Sequence, residues 1–273
     1  AVFSWKATPV SMQNEPLTPE LTRRLSDAVE SRFQVLYPMP LIRQVKFVKL
    51  DRPGATADLR KALDANLLDG TGTIDLEFAR SPLSDAAGSV EYLLHYPFGC
   101  VEQTTSSLVP WCAVDELKDV IPSFAKLPKE KVQAAIQAGA DRLLSMQLAN
   151  GSFTYWPGGR ETIDWATPYA GMGLVLAASK GASVAESSIE SLTHYLIGSL
   201  RGMADTKSSS ALEIHARTLL VLSLAENPQP AYQNAMIDRM AELSTSARAM
   251  LAASIAIGNE DEKDKARMVM ESK

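Results

Sequence analysis

The chain has little of what metal, membrane or nucleic-acid chemistry requires. Of its 273 residues only two are cysteines and three are histidines, and neither a CxxC nor an HExxH pattern occurs, so the common metal-ligand spacings are absent. No apolar run approaches the roughly 20 residues that a membrane-spanning helix needs. Acidic residues outnumber basic ones, 32 to 27, which argues against a nucleic-acid groove. We therefore expect no metal, no cofactor and no nucleic-acid partner.

The two cysteines, Cys100 and Cys112, are predicted to have different roles. If both lie on one helix, the twelve residues of separation place them about 18 Å apart along its axis. That distance is beyond the reach of a disulfide. Cys112 is then predicted to be a buried apolar residue, and Cys100 remains available for chemistry.

The most informative stretch is residues 96–107, YPFGCVEQTTSS, which places Cys100 three residues before Gln103. A helical pattern begins at about Val101, directly after Gly99. Residues three apart lie on one face of a helical turn. The Cys100 sulfur could therefore condense with the Gln103 side-chain carbonyl, with loss of ammonia, and form an internal thioester.

A helix entrance suits this chemistry because free amide N–H groups and the positive end of the dipole collect there. Both favour a thiolate, the group that leaves when a thioester is attacked. Glu102 points to a different side and could position an incoming group or bond to the backbone. A thioester persists only where apolar side chains exclude water, and the aromatic candidates are Phe98, Trp111, Tyr155, Trp156 and Trp165. We predict that Phe98, Tyr155 and Trp156 provide the shield.

Residues 96–107 resemble the thioester motif of the α2-macroglobulin and complement family. Val101 stands where vertebrate members have glycine, so the similarity is to the bacterial α2-macroglobulins. Residues 147–169, QLANGSFTYWPGGRETIDWATPY, resemble a second segment of the same family, and residues 72–96 resemble the strand and helix before the motif. The resemblance covers roughly residues 30–226, and the first motif is the more specific.

This resemblance implies a single-use protease inhibitor rather than an enzyme. In such molecules a protease cuts a bait segment, the inhibitor rearranges, and the thioester is unveiled. A lysine amine or a hydroxyl of the protease then attacks the acyl carbon of Gln103, which tethers the protease. The implied partners are target proteases and the other domains of a longer inhibitor.

The resemblance also implies a place in the cell. The bacterial relatives are taken to be periplasmic, held at the inner membrane by a lipid anchor, and used in defence of the cell envelope. No bait region, lipobox or series of β-sandwich domains is visible in this sequence. The chain therefore looks like a piece of a longer protein, with any membrane anchor outside it.

From residue 81 onward the sequence reads as helical. Segments that are apolar around most of their circumference, such as 174–178 and 218–222, are typical of helices buried on two sides. The segments 185–201 and 230–243 are more polar and suit an outer layer. We predict an α/α-toroid, a ring of helical hairpins, incomplete because a full ring has six. The predicted helices are near 85–95, 101–118, 128–148, 162–180, 185–201, 209–226, 230–243, 245–257 and 260–271.

The first eighty residues read differently. Residues 1–16 are expected to be irregular and 18–31 helical, and the alternation of residues 33–37, 41–50 and 73–79 predicts strands. The resemblance implies that these strands form the first part of a split, CUB-like β-sandwich. The predicted order is therefore a linker and short helix at 1–31, a partial β-sandwich at 32–80, and a thioester domain at 81–273 that is truncated at its C-terminus. The predicted class is mainly α.

The histidines bear on which nucleophile is favoured. In complement-type relatives a histidine attacks the thioester first, and His215 is the candidate match, but it falls where a helix is already predicted. His95 is explained by a helix C-terminus, and His194 by a solvent-facing position on a polar helix. We expect amines to be the favoured nucleophiles.

Three other functions stay open at this point. Cys100 could be the nucleophile of an acyl-transfer enzyme, with His95 or His215 as its base. The chain could be a non-catalytic helical interaction scaffold. Glu161 and Asp164 could form a glycosidase pair, although capping of a helix N-terminus explains them too.

Overall fold

The structure is a computed structural model that describes residues 2–10, 17–32, 48–50, 52–58, 76, 87–94, 99–121, 123–203, 206 and 208–271. The chain divides into two compact units, Ala1–Asp75 and Leu76–Lys273.

The first unit contains a two-stranded antiparallel sheet with a helix between its strands in sequence. Strand β1, Val2–Ala7, pairs with β2, Asp27–Arg32, so that the first residue of β1 lies opposite the last residue of β2. Helix α1, Pro19–Leu25, is capped at its N-terminus by Thr18, whose hydroxyl accepts a hydrogen bond from the Leu21 N–H at 3.3 Å.

This region differs from the sequence-based prediction in two respects. Residues 2–7 form a strand where irregular chain was expected, and the helix expected over 18–31 ends at Leu25. Ser26 has an extended backbone and ends the helix. Residues 27–32 then pair with β1, at the other side of α1 in sequence, and the helical spacing of apolar residues in this segment could not reveal that pairing. The strands predicted at 33–37, 41–50 and 73–79 lie outside the described residues, except 48–50 and 76, which have no regular secondary structure.

The second unit is helical throughout the part that the structure describes. Most helices begin and end within a few residues of the predicted bounds, and the segment predicted at 101–118 is divided in two at Ala113. The helices are α2 (Ala87–Leu94), α3 (Val101–Cys112), α4 (Val114–Leu117), α5 (Lys129–Leu144), α6 (Ala166–Ser179), α7 (Glu186–Ser199), α8 (Ser209–Leu224), α9 (Pro230–Ile237), α10 (Thr245–Gly258) and α11 (Lys263–Glu271).

These helices alternate between an inner and an outer layer. The inner helices α3, α6, α8 and α10 contact one another in succession. The helices between them in sequence, α5, α7 and α9, each pack against both inner neighbours, and α11 packs against α10. This is the arrangement of an α/α-toroid, of which the described residues form four inner–outer pairs. The predicted fold class, mainly helical with a small strand portion before an incomplete toroid, is confirmed.

Helix α3 is held closely by its neighbours because glycines face it. An added Cβ at Gly139 of α5 would lie 2.8 Å from the Leu108 side chain. An added Cβ at Gly173 of α6 would lie 3.2 Å from the Thr105 side chain. The first distance is shorter than real Cβ contacts and the second is tighter than most of them, so both backbones approach α3 closely. Close packing against α5 and α6 in the middle of α3 therefore fixes the position of the helix, including its N-terminal end.

None of the described helices combines the length and the apolar character that a bilayer span requires.

Candidate functional site

Cys100 occupies the N-cap position of inner helix α3. Its backbone is extended, with φ −72° and ψ 169°, and its carbonyl accepts the first helical hydrogen bond, from the Thr104 N–H at 2.9 Å. Only 2% of the residue is exposed. The Cys100 sulfur thus lies at the end of the helix where unsatisfied amide N–H groups and the positive dipole end are found.

Gln103 folds back toward Cys100 in the reciprocal arrangement of a capping box. The Gln103 side-chain oxygen accepts a hydrogen bond from the Cys100 N–H at 3.3 Å, and the Cys100 side chain accepts one from the Gln103 N–H. A capping box ordinarily pairs Ser or Thr with Glu or Gln three residues later. Here cysteine replaces the hydroxyl residue, so a sulfur and a carboxamide are brought to the same helix end. The structure thus places together the two residues that the sequence predicts to condense.

Arg142 of α5 anchors the backbone just before the cysteine. Its guanidinium donates two hydrogen bonds to the Gly99 carbonyl, at 3.1 Å from Nε and 2.7 Å from a terminal nitrogen. An added Cβ at Gly99 would lie 3.1 Å from the guanidinium. Glycine at this position therefore permits the arginine to approach, and the arginine fixes the peptide that leads into Cys100.

Tyr155 reaches the same helix end from a distant loop. Its backbone carbonyl accepts a hydrogen bond from the Val101 N–H, the first amide of α3, at 3.1 Å. The charge of Cys100 and a side-chain hydrogen bond to Cys100 raise the pKa of the Tyr155 hydroxyl, with smaller contributions from desolvation and from the charge of Glu102. The backbone of Tyr155 is therefore bonded to the residue that directly follows Cys100.

The other aromatic candidates differ in position. The Trp156 ring packs edge-on against the Tyr155 ring, with centroids 5.9 Å apart. Their exposed fractions are 51% and 40% respectively, so within this chain the pair is open to solvent on one side. Trp111 is buried in the core, and Trp165 is exposed at the start of α6. Phe98 lies outside the described residues.

The loop that carries Tyr155 is fixed by buried polar contacts. Thr154 donates its backbone N–H to the Met146 carbonyl at 2.9 Å, and the Phe153 N–H is bonded to the Thr167 hydroxyl at 3.1 Å. Phe153 itself is fully buried. The two residues before Tyr155 are thus bonded to the segment after α5 and to α6, which holds the Tyr155 backbone beside the start of α3.

Glu102 is held by a chain of side chains along the inner helices. Its carboxylate accepts a hydrogen bond from the Ser106 hydroxyl at 2.9 Å, and Ser106 also bonds to the Tyr169 hydroxyl at 2.9 Å. The Arg217 guanidinium stacks over the Tyr169 ring at 5.1 Å from its centroid. Glu102 is thus engaged by a side chain on its own helix, and the contacts continue to α6 and α8.

The second cysteine has a different environment at the other end of α3. Cys112 is 4% exposed, and both cysteines are free. Burial raises the pKa of the Cys112 thiol to about 11, against a smaller lowering effect of Lys180. A thiol with so high a pKa stays protonated and unreactive at neutral pH.

The remaining sequence candidates lie elsewhere or have other partners. The His215 ring is 3.3 Å from the Thr206 hydroxyl, and burial, followed by the charge of Arg239, lowers its pKa. No contact with Cys100 is found for His215 among the residues that the structure describes. Asp164 accepts a hydrogen bond from the Tyr195 hydroxyl at 3.2 Å.

The other described histidine, His194, lies on an outer helix of the toroid. His194 is exposed on α7, and Glu161 is exposed in the loop before α6, while His95 lies outside the described residues. Within the described part of the chain, no group of three or more histidine, cysteine or acidic side chains could hold a metal ion.

Sequence reasoning missed three residues of this neighbourhood. Tyr169 belongs to the second family-like stretch, which was a usable signal, and its contact with Ser106 gives that stretch a structural role. Arg142 and Arg217 carry no motif. Their contacts join residues 43 positions or more apart, so only the folded arrangement of helices reveals them.

The fold and the site together define a helical domain whose first inner helix is capped by a cysteine–glutamine pair. The profile of one protein family, the A-macroglobulin TED domain, matches residues 73–215. Because this match spans more than half of the chain, the chain belongs to the A-macroglobulin TED domain family.

The similar proteins are bacterial α2-macroglobulins. Alpha-2-macroglobulin of Escherichia coli K12 is 30% identical over 173 residues, which are 59% of this chain and 10% of that protein. The alpha-2-macroglobulin of Thermotoga maritima is 30% identical over 139 residues, which are 48% of this chain and 8% of that protein. The chain therefore matches about a tenth of the length of these relatives.

Solved structures show the same fold. Native alpha-2-macroglobulin of Escherichia coli, from domain MG7 to the C-terminus, has a TM-score of 0.55 at 23% identity, covering 68% of this chain and 30% of that chain. Salmonella alpha-2-macroglobulin reacted with methylamine has a TM-score of 0.55 at 24% identity, covering 68% of this chain and 13% of that chain.

Proposed function

We propose that the chain is the thioester-bearing part of a bacterial, broad-spectrum protease inhibitor that traps proteases covalently. The observation that supports this most is the reciprocal capping of α3 by Cys100 and Gln103, which brings a sulfur and a carboxamide to one helix end. Membership of the A-macroglobulin TED domain family supports it further.

The proposed chemistry has two steps. In the first, the Cys100 sulfur bonds to the side-chain carbonyl carbon of Gln103, and the carboxamide nitrogen leaves as ammonia. In the second, a lysine amine of the protease forms a bond to that carbon while the carbon–sulfur bond breaks. The electron pair of the broken bond stays on sulfur, which ends as the Cys100 thiol after taking up the proton that the amine releases.

The trap is used once. After acyl transfer the Gln103 carbon is held in an amide, or in an ester if a hydroxyl attacked, and both are more stable than a thioester. The thioester does not re-form from these products, so each chain reacts once and is consumed. This is the behaviour of an inhibitor and not of an enzyme.

Storage of the thioester requires protection from water. We assign this role to Tyr155 and Trp156, whose rings pack against each other in the loop that is bonded to the first amide of α3, and to Phe98. Because both rings are partly exposed in this chain, other domains of the full-length inhibitor complete the shield.

Amines are the favoured nucleophiles in this proposal. A histidine that first accepted the acyl group would redirect it to hydroxyls, and His215 bonds to Thr206 instead. A lysine of the target protease therefore attacks directly.

The wider setting follows from the family alone. The proposed partners are target proteases and the remaining domains of a longer inhibitor, of which this chain spans about a tenth. The proposed location is the periplasm, with the full-length protein anchored at the inner membrane by a segment outside this chain. In that place the inhibitor defends the cell envelope.

Mass spectrometry of freshly purified protein tests the thioester. An intact thioester makes the chain lighter than its sequence by one ammonia, and methylamine adds to it, which leaves the chain one methylene group heavier than its sequence with one thiol released. A thioester that formed and then hydrolysed leaves a glutamate at position 103, which peptide mapping distinguishes from the encoded glutamine. Gln103 found as glutamine, with no methylamine uptake, would contradict the proposal.

Turnover separates this function from a cysteine-nucleophile enzyme. The proposal predicts at most one equivalent of methylamine incorporated per chain, whereas an acyl-transfer enzyme would process many equivalents of a glutaminyl or peptide substrate. An interaction scaffold would bind its partners equally well after Cys100→Ala. The proposal predicts that this variant loses covalent capture.

A further inference from the structure

A single peptide unit joins the candidate thioester site to the neighbouring helix α5. The peptide between Gly99 and Cys100 is planar and rigid, with its carbonyl on one edge and its N–H on the other. The carbonyl accepts two hydrogen bonds from the Arg142 guanidinium, at 3.1 Å and 2.7 Å. The N–H donates to the Gln103 side-chain oxygen at 3.3 Å. The arginine and the carboxamide thus bind opposite edges of one planar group.

We propose that the Cys100 backbone N–H stabilises the negative charge that develops on the Gln103 side-chain oxygen, and that Arg142 is the residue that positions this N–H. The inference rests on the proposed function and deepens it, because that oxygen gains charge both when the thioester forms and when an amine attacks it. Hydrogen-bond donors that are already in place where negative charge develops stabilise a transition state strongly, because they need no reorganisation during the reaction. Such bonds are often long in the resting site and tighten in the transition state.

The hydrogen bonds at this helix end direct the Cys100 N–H, and not the next amide, to the carboxamide. The Val101 N–H is bonded to the Tyr155 carbonyl at 3.1 Å, so its proton is directed to the aromatic loop. The Cys100 N–H is the amide whose bond to the Gln103 oxygen the structure shows. Its direction therefore decides how well the charged oxygen is met.

Arg142 acts on this N–H through the peptide that it holds. Its two bonds fix the plane of the Gly99–Cys100 peptide, and so the direction of the N–H. Its positive charge polarises the Gly99 carbonyl, and hydrogen bonds that share one peptide strengthen each other, so the N–H becomes a better donor. Gly99 permits this approach, because an added Cβ would lie 3.1 Å from the guanidinium.

The bonds and protons of both steps balance without any further reactant. When the thioester forms, the Cys100 sulfur bonds to the Gln103 side-chain carbon, and the electron pair of the carbonyl double bond moves onto oxygen. That pair returns as the carbon–nitrogen bond breaks, and the nitrogen leaves as ammonia with the thiol proton. When an amine attacks, the same oxygen is charged again until the carbon–sulfur bond breaks. The electron pair of that bond stays on sulfur, which takes up the proton that the amine loses.

The test compares Arg142→Gln with the control Arg239→Gln in the 273-residue chain. Both arginines donate two hydrogen bonds to backbone carbonyls that are distant in sequence, but Arg239 bonds to those of Met203 and Thr206 instead. Arg142 is exposed, so its replacement leaves no buried cavity. Thermal unfolding first establishes that both variants fold. The rate of thiol release is then measured with methylamine and with hydroxylamine in excess.

We expect Arg142→Gln to slow thiol release by about tenfold with both nucleophiles, because the charged oxygen is common to both reactions. Freshly purified Arg142→Gln should also contain more chains with unreacted glutamine at position 103, since the same cause slows formation of the thioester. Peptide mapping measures that fraction even where the thioester has hydrolysed. Arg239→Gln should match the wild type in both. An Arg142→Gln protein that matches the wild type in both would overturn the inference and leave the proposed function intact.

The carbonyl frequency of the thioester separates a positioned hydrogen bond from a general loss of structure. The infrared difference between untreated and methylamine-treated protein contains the thioester carbonyl band. We expect this band at higher frequency in Arg142→Gln than in wild type, because its oxygen accepts a weaker hydrogen bond, and unshifted in Arg239→Gln. An unshifted band in Arg142→Gln would overturn the inference. Wild-type protein with unreacted glutamine at position 103 and no methylamine uptake would instead refute the proposed function itself.

Discussion

The two ends of helix α3 carry cysteines of similar burial and opposite predicted chemistry. Cys100 at the N-terminal end is 2% exposed, and Cys112 at the C-terminal end is 4% exposed. Cys100 caps the helix together with Gln103, and the Tyr155 carbonyl accepts a hydrogen bond from the next amide, that of Val101. Cys112 faces the apolar core, and burial raises its pKa to about 11.

The contrast shows that burial alone does not decide the reactivity of a cysteine. At the C-terminal end of a helix the dipole disfavours an anion, and low solvation adds to that cost. At the N-terminal end the free amide groups of the helix face the sulfur, so a leaving thiolate has donors. The two environments lie at opposite ends of one helix of 12 residues.

The largest expected effect comes from replacing Cys100 by alanine, and the same replacement at Cys112 is the control. Cys100→Ala should abolish methylamine uptake completely, because no sulfur remains to hold the acyl group. Cys112→Ala should react as the wild type and cost about 1 kcal/mol of stability through a small cavity. Intact mass before and after methylamine reports both variants. Methylamine uptake by Cys100→Ala would contradict the assignment of the reactive sulfur to Cys100.

Replacement of the glutamine by its carboxylate analogue separates the cap from the thioester. Gln103→Glu keeps an oxygen that can accept from the Cys100 N–H, and an anion is favoured at a helix N-terminus by about 0.5 kcal/mol. The encoded protein cannot lose ammonia at this position. We expect no methylamine uptake and unchanged or slightly raised thermal stability. A marked fall in stability would mean that the carboxamide, not the cap, holds this end of the helix.

The N-terminal end of α3 also depends on the loop that carries Tyr155, and two glycines test this. Both have positive φ, +88° at Gly151 and +78° at Gly158, but an added Cβ would lie 2.1 Å from the Ser191 carbonyl oxygen only at Gly151. We expect Gly151→Ala to cost about 3 kcal/mol and Gly158→Ala about 1 kcal/mol, the cost of strain alone.

Denaturant unfolding measures both glycine variants, and methylamine uptake shows whether the loop still protects the thioester from water. Lower methylamine uptake, with glutamate found at position 103, is expected only for Gly151→Ala. Equal losses of stability would show that Ser191 can move away from an added methyl group.

The raised pKa of Cys112 predicts a pH dependence that belongs to the C-terminal end of the helix. In the window from pH 9.0 to about 11 the folded protein holds the thiol proton and the unfolded chain loses it. The stability contribution is therefore full below pH 9.0 and lost as the pH rises, by up to about 3 kcal/mol.

Urea unfolding of wild type and Cys112→Ala across this window measures the effect as a difference. The free-energy difference between the two proteins should shift against the wild type as the pH rises. A difference that does not vary with pH would mean that Cys112 ionises as readily in the folded protein as in the unfolded chain.

The smallest expected effect is at His215, which lies away from the capped end. His215→Ala should react with methylamine at the wild-type rate within about twofold, since a lost acid–base group would cost about a hundredfold or more. Thiol release with methylamine measures it. A hundredfold lower rate of thiol release in a folded His215→Ala protein would show that His215 takes part in the reaction.

Local patterns were sufficient to predict the helices of the second unit. The apolar segments around Leu174 and Leu219 lie on inner helices α6 and α8, as their all-round hydrophobicity predicts. The pairing of β1 with β2 was not predictable, because the two strands are separated by helix α1 and residues 27–32 continue its apolar stripe. Pairing across such a distance leaves no periodic signal in either segment.

The candidate site likewise has one part that the sequence predicts and another that only the fold reveals. The spacing of Cys100 and Gln103 is local, so the sequence alone places both at one helix end. Tyr155 is 55 residues from the cysteine in sequence, and only the fold shows that its backbone carbonyl is bonded to the first amide of α3. The support of Gly99 by Arg142 likewise depends on how α5 packs beside α3.

The peptide that contains positions 100 and 103 offers the most direct test of the account. Its mass is measured in freshly purified protein, with and without prior methylamine. The account predicts a sulfur bonded to the side-chain carbon, or its methylamide or hydrolysed glutamate products. A free thiol beside an unaltered glutamine in every preparation would contradict it.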